Sequence, residues 1–137
     1  MQLDERSLGK LEGVHADLVR VVRRAADLSE VDFIVTEGLR SMKRQRELVA
    51  AGASKTLKSR HLTGHAIDFA PVVSGEVTWK WPPFFLIADA FKRAARELGV
   101  AIVWGGDWLR FKDGPHIELD RKAYPESGAP AAQGRAA

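Results

Sequence analysis

The sequence predicts an α+β domain, three helices packed on one sheet of about four strands. Two observations carry this. Apolar residues recur at steps of three and four in two long stretches, the period of a helix with one buried stripe. Between and after these stretches lie short runs of β-branched and aromatic residues ended by Gly, Pro or an Asp-Gly pair, the pattern of buried strands and turns. No internal repeat and no linker interrupts residues 1–123, which read as a single domain.

The first helix is expected from Ser7, a suitable N-cap, to about Leu28, with Leu8, Leu11, Val14, Leu18, Val21, Val22 and Ala25 along its buried stripe. Residues 31–36 of VDFIVTEGLR form the first strand, which turns at Gly38 and leaves Arg40 just beyond it. A second helix spans 41–51, opened by Ser41 and closed by Gly52. After the polar loop ASKTLKSR, HAIDFAPVV alternates as a strand ended at Pro71, and SGEVTWKWPP is a turn and irregular connection. Pro82 and Pro83 suit the start of a helix over 84–98 that stops at Gly99. VAIVWGG is a third strand, and a turn at Asp113-Gly114 returns the chain as a fourth at 116–119. Residues 124–137, rich in Ala, Gly and Pro, are expected to be a disordered tail.

Composition removes several function classes. With 45% hydrophobic and 28% charged residues, and no apolar run near the ~20 residues that span a bilayer, the chain is neither disordered nor integral to a membrane. The start, MQLDERSLGKLEGVHADL, carries acidic residues and no continuous apolar core, so a secretory signal is not indicated and synthesis is expected to end in the cytoplasm. Absence of cysteine excludes disulfides and thiolate metal sites, leaving His, Asp and Glu as the only zinc ligands available. Neither G-x-S-x-G nor G-x-x-x-x-G-K occurs.

The net charge of +3 is unevenly spread. Residues 40–60 hold Arg40, Lys43, Arg44, Arg46, Lys55, Lys58 and Arg60 against Glu47 alone, a local +6. This stretch is either a solvated helix face and loop or a surface that attracts an anionic polymer. No recognised nucleic-acid motif accompanies it, so a specific nucleic-acid partner is not expected.

The chemistry concentrates in two segments, SRHLTGHAIDFAP at 59–71 and DGPHIEL at 113–119. Along a strand Ala66, Asp68 and Ala70 point to one face while His65, Ile67 and Phe69 point to the other, so His65 and Asp68 do not share a site. His61, four residues before the strand and followed by a turn at Gly64, can fold back to the Asp68 face. On the last strand His116 and Glu118 share one face, with Ile117 and Leu119 on the buried one. Two imidazoles and one carboxylate leave a fourth tetrahedral position for water, the arrangement of a catalytic zinc site, and a second carboxylate nearby can take that water's proton. Spacing alone leaves a plain loop leading into a strand equally open. His15, inside the first helix without a partner at helical spacing, is set aside as a surface or boundary residue.

Ser59, His61, Gly64, Ala66 and Asp68 in S-x-H-x-x-G-x-A-x-D, followed by Asp113 and His116 in D-x-x-H, resemble the M15 family of zinc peptidases. The order of GLRS, SRHLTGHAIDFAP, REL-GV, WGGDW and HIEL over residues 8–120 is most similar to its L-alanyl-D-glutamate endopeptidases, the endolysins of the bacteriophage T5 type. The resemblance implies a hedgehog/D-Ala-D-Ala peptidase-like fold, about three helices on a small, mainly antiparallel sheet. It implies one zinc ion held by His61, Asp68 and His116, with Asp113 as general base and Arg40 stabilising the carbonyl oxygen; a salt bridge holding the GLRS turn is the other reading of Arg40. The implied substrate is the peptidoglycan stem peptide, cut by a monomer that reaches the wall after release through a holin. Cleavage at D-Ala-D-Ala and a non-catalytic zinc-containing wall-binding module are the competing readings. Glu118 is either a partner of His116 or an exposed strand carboxylate. Asp107 and Trp108 either line the substrate cleft or pack in the hairpin, as Trp104 is expected to do. Two departures stand out: Pro115 removes a backbone donor beside the site, and the chain continues past Asp120.

Overall fold

The computed structural model describes residues 1–126. In chain order it contains α1 (Glu5–Lys10), α2 (Ala16–Leu28), β1 (Asp32–Glu37), α3 (Met42–Ala50), a 3-10 turn (Arg60–Thr63), β2 (Ala66–Val73), β3 (Glu76–Val77), α4 (Trp81–Leu98), β4 (Ile102–Trp104), a second 3-10 turn (Gly105–Asp107) and β5 (His116–Leu119). The sheet runs β1-β2-β5-β4 with every pairing antiparallel, and β3 pairs with the far end of β2. The α+β expectation therefore holds, with three main helices on a five-stranded sheet.

One face of the sheet supplies Phe33, Val35, Ile67, Phe69, Ile117 and Leu119 to the core, where Leu18, Val21 and Val22 of α2 and Ile87, Phe91 and Ala94 of α4 cover them. Phe69 lies at the centre, with ring centroids 5.2 Å from Phe91, 5.4 Å from Phe84 and 6.0 Å from Phe33. Strand alternation then leaves Asp68, His116 and Glu118 on the opposite face, as the sequence pattern predicts.

Local chemistry departs from the sequence expectations in four places. The first helix is two, broken around Gly13, whose φ of +79° belongs to the left-handed region. Ser7 is consequently not an N-cap: it is buried in α1, where its Oγ accepts the Val35 N–H at 2.9 Å, while Asp4 caps α1 and His15 caps α2. β2 continues through Pro71 to Val73, because the Pro71 carbonyl still accepts the Thr78 N–H at 3.0 Å and only the missing N–H is forfeited. The stretch read as an irregular connection holds the β2–β3 hairpin, and α4 begins at Trp81 with the prolines in its first turn. Of the seven cations between 40 and 60, Arg60 is buried and the Arg40 side chain is only 8% exposed, so these two add little to the basic surface.

Tyr124, at the boundary of the expected tail, docks on the domain: its Oη donates to Asp17 at 2.6 Å and its carbonyl accepts from Arg60 at 2.9 Å. Residues 127–137, where most of that tail falls, lie outside the described residues.

His15 is buried rather than at the surface, and its ring centroid lies 5.5 Å from that of His65. His65, 1% exposed, is also faced by Arg60, Thr63 and Glu126. Burial first, then the Arg60 and His15 charges, lower its pKa from 6.5 to about 4. The unfolded chain therefore binds more protons between these values, and stability should fall as pH drops through 6.5 towards about 4. We expect urea midpoints, taken with a chelator present, to fall over this range and to fall less steeply in His65→Gln; parallel slopes would contradict the assignment.

Candidate active site

Three backbone devices bring the donors together. The Arg60–Thr63 turn is capped by Ser59, whose Oγ accepts the His61 N–H at 3.2 Å. Gly64 closes the turn at φ 75°, which a side-chain-bearing residue adopts only with strain, and so reverses the chain into β2. Strand register does the rest: Asp68 pairs with His116 and Ala66 with Glu118, which sets the Asp68 and His116 side chains beside each other.

His61 Nε2 lies 3.2 Å and His116 Nδ1 3.4 Å from Asp68 Oδ1, and one donor atom from each residue lies within 4.8 Å of the other two. The two outward nitrogens are already occupied: His61 Nδ1–H donates to the Gly38 carbonyl at 2.9 Å, and His116 Nε2–H donates to Glu118 Oε1 at 2.8 Å. The remaining nitrogens, His61 Nε2 and His116 Nδ1, both face the Asp68 carboxylate.

Glu118 is buried, not an exposed strand carboxylate, and meets Arg121 at 3.3 Å and Arg60 at 3.8 Å. Burial opposes its ionisation, but the His116 hydrogen bond and the neighbouring cations win and hold its pKa below the usual range. Arg40 forms the ion pair of its second reading. Its guanidinium donates to Gln45 at 2.7 Å and to Glu37, and lies 3.7 Å from Asp68 Oδ2. Asp113 is fixed through its backbone, its N–H donating to Gly105 at 3.0 Å and its carbonyl accepting the His116 N–H at 3.2 Å. Burial, then the Asp68 charge, push its pKa up.

Trp108 lies tilted beside His116, with centroids 5.1 Å apart. Trp104 is in the core as expected, and its Nε1–H donates to the Gly114 carbonyl at 2.7 Å, holding the Asp113 turn. Asp107 turns away to pair with Lys92 of α4 at 2.7 Å. A cavity of about 670 Å³ opens over the donors, and Ser59, Arg40, Trp108, Asp113 and Glu118 all line it.

The profile of a family described as phage L-alanyl-D-glutamate peptidase matches residues 1–125. The chain belongs to this family. The peptidase is 37% identical over 119 residues to the L-alanyl-D-glutamate peptidase of Escherichia phage T5, covering 84% of this chain and 86% of that one. It is 33% identical over 132 residues to the peptidoglycan L-alanyl-D-glutamate endopeptidase CwlK of Bacillus subtilis, covering 77% and 75% respectively. The crystal structure of the Serratia marcescens L-Ala D-Glu endopeptidase ChiX superposes with a TM-score of 0.86 at 54% identity, over 90% of this chain and 94% of that one.

The donor set of the peptidase suits a divalent cation. Burial disfavours charge on His116, yet its hydrogen bonds to Asp68 and Glu118 raise its pKa to about 9. Burial likewise opposes an ionised Asp68, but hydrogen bonds from His116 and His61 hold it ionised well below the usual carboxylate range. The pocket is thus built for positive charge, and a metal ion can take the place of the proton on His116. Because Glu118 orients that imidazole, Glu118→Gln should weaken metal binding by about 10–100-fold while leaving the protein folded. Competition with a chromogenic chelator, alongside circular dichroism, checks this; an unchanged affinity would remove Glu118 from the site.

Sequence reasoning missed three contributors. Glu37 and Gln45 hold Arg40, and nothing in a charged helix marks Gln45 as its one buried residue. Gly105 matters for room: a Cβ there would lie 2.4 Å from the Asp113 carbonyl oxygen and 3.0 Å from His116 Cβ.

Proposed function

We propose that the peptidase hydrolyses the L-alanyl-D-glutamate bond of the peptidoglycan stem peptide with one zinc ion held by His61, Asp68 and His116 and with Asp113 as general base. The observation that carries this reading is the juxtaposition of a His-Asp-His donor cluster with a half-buried carboxylate of raised pKa on one cavity wall.

When bound, such a metal lowers the pKa of water towards ~7 and polarises a carbonyl. Asp113 takes a proton from the attacking water as the water oxygen bonds to the alanyl carbonyl carbon. Asp113 then passes that proton to the glutamyl nitrogen as the C–N bond breaks. Its raised pKa makes it a stronger base than an ordinary aspartate. Arg40, held still by Glu37 and Gln45, presents its charge beside Asp68, where the carbonyl oxygen gains negative charge. Trp108 closes one side of the cavity beside His116.

No helix among the described residues is long and apolar enough to cross a membrane. Delivery to the wall by a holin-type membrane protein, and action as a monomer, belong to the same reading.

Mass spectrometry of fragments released from purified peptidoglycan tests the bond assignment. We expect peptides with a new amino-terminal D-glutamate, and none after treatment with a chelator. Release of terminal D-alanine alone would replace this reading with a carboxypeptidase, and no release would favour a binding module.

A further inference from the structure

A second cavity, of about 210 Å³, lies across the Asp113 turn and is lined by Trp79, Trp81, Phe84, Lys112, Asp113, Gly114 and Pro115. Lys112 and Asp113 also line the larger cavity, so the two adjoin at the proposed base. The shelf beside it is made of large rings that the core does not cover: Trp79 is 66% exposed, Phe85 56% and Trp81 42%. These rings are not loose. Phe84, buried in the core, stacks under Trp79 with centroids 6.3 Å apart and planes at 25°, and Trp81 contacts Phe84, Phe85 and Trp104 at 6.2, 5.8 and 6.4 Å. A rigid exposed aromatic surface leading out of a catalytic cleft is the form of a ligand subsite.

We infer that this shelf binds a sugar ring of the glycan strand, the muramyl residue that carries the stem peptide. The inference rests on the proposed cleavage of the L-alanyl-D-glutamate bond. In that substrate the sugar is joined to the alanine nitrogen through a lactyl group, so it lies one alanine and one lactyl unit from the scissile carbonyl, roughly 7 Å of chain. The aromatic shelf shares Asp113 with the cleft, on the side that so short a tether would have to reach. Charge sets the direction. The larger cavity has Lys55, Arg110 and Arg121 on its wall, which suit the acidic D-glutamate and the residues after it. The apolar shelf on the other side of Asp113 suits the C–H face of an uncharged pyranose.

The test compares a muramyl-tripeptide with the same tripeptide lacking the sugar, in the metal-loaded full chain, for the unaltered protein, Trp79→Ala and Trp79→Phe. We expect Trp79→Ala to raise KM for the sugar-bearing substrate about tenfold with kcat within about twofold, and to change neither constant for the bare peptide by more than about twofold. Trp79→Phe, which keeps a ring, should recover most of the loss. Equal loss on both substrates would show that Trp79 only supports the Asp113 turn, and no loss on either would show that the shelf holds no sugar. Light scattering gives a further outcome: a dimer that Trp79→Ala dissociates would assign the shelf to a second copy instead. If the unaltered protein cleaves neither substrate, the bond assignment falls and the sugar subsite with it, a result distinct from selective failure of the shelf.

Discussion

Asp68→Ala is expected to leave the peptidase without bound metal and without hydrolysis, a loss of several kcal/mol of transition-state stabilisation or about 10³-fold and more in rate. Asp68 is the one carboxylate in the donor cluster and lies within 3.4 Å of both facing imidazole nitrogens. Its charge is what draws a cation into a pocket where burial would otherwise exclude charge. Without it, two imidazoles remain, too few ligands for a stable site. The fold should survive, because Arg40 keeps its hydrogen bonds to Glu37 and Gln45 and the β2 core residues face the other way. Metal content after dialysis, together with release of peptide from peptidoglycan, measures the effect. A folded variant that retains one equivalent of metal would show that Asp68 is not a ligand.

Asp113→Ala is expected to separate binding from chemistry. Metal should stay bound, because Asp113 lies outside the His61, Asp68 and His116 cluster, while turnover falls by about 10²–10⁴, the usual contribution of a general base. The turn itself should persist, since its contacts to Gly105 and His116 are made by the backbone and the Gly114 carbonyl still accepts from Trp104. Full activity in a metal-loaded Asp113→Ala protein would sink the assignment and move the search for a base to another carboxylate on the cavity wall. Together the two variants make opposite patterns, metal lost with activity lost against metal kept with activity lost, so a general folding defect cannot mimic both.

How much of this was legible in the sequence depends on the range over which each feature is decided. Two-residue alternation in HAIDFAP is local, and it correctly assigned Asp68 to one face and His65 to the other. Gly64 as the reversal between His61 and the strand was readable for the same reason. The sequence reads the first helix as one because its apolar stripe continues across Gly13, and only packing against β1 shows that Ser7 is taken up by the Val35 N–H. Likewise His15 is solitary in the chain, although the fold sets it beside His65 and edge-on to Tyr124. The sequence leaves Glu118 between two roles because Arg60, which faces it in the buried site, comes from a distant segment.

The amino-acid sequence by itself determined the kinds of donor available and the side of each strand on which they lie. With no cysteine, only nitrogen and oxygen ligands were possible, and the period of a strand is a property of the backbone that needs no partner. Tertiary structure alone decided the register that places His116 opposite Asp68, and through it the different roles open to Asp68, Asp113 and Glu118. These three carboxylates differ little as isolated side chains. Two imidazoles hold the first ionised, burial beside that charge raises the pKa of the second, and a histidine with two arginines lowers that of the third. Those neighbours come from segments far apart in the chain, and electrostatic environment is set by distance in space, not by distance along the sequence.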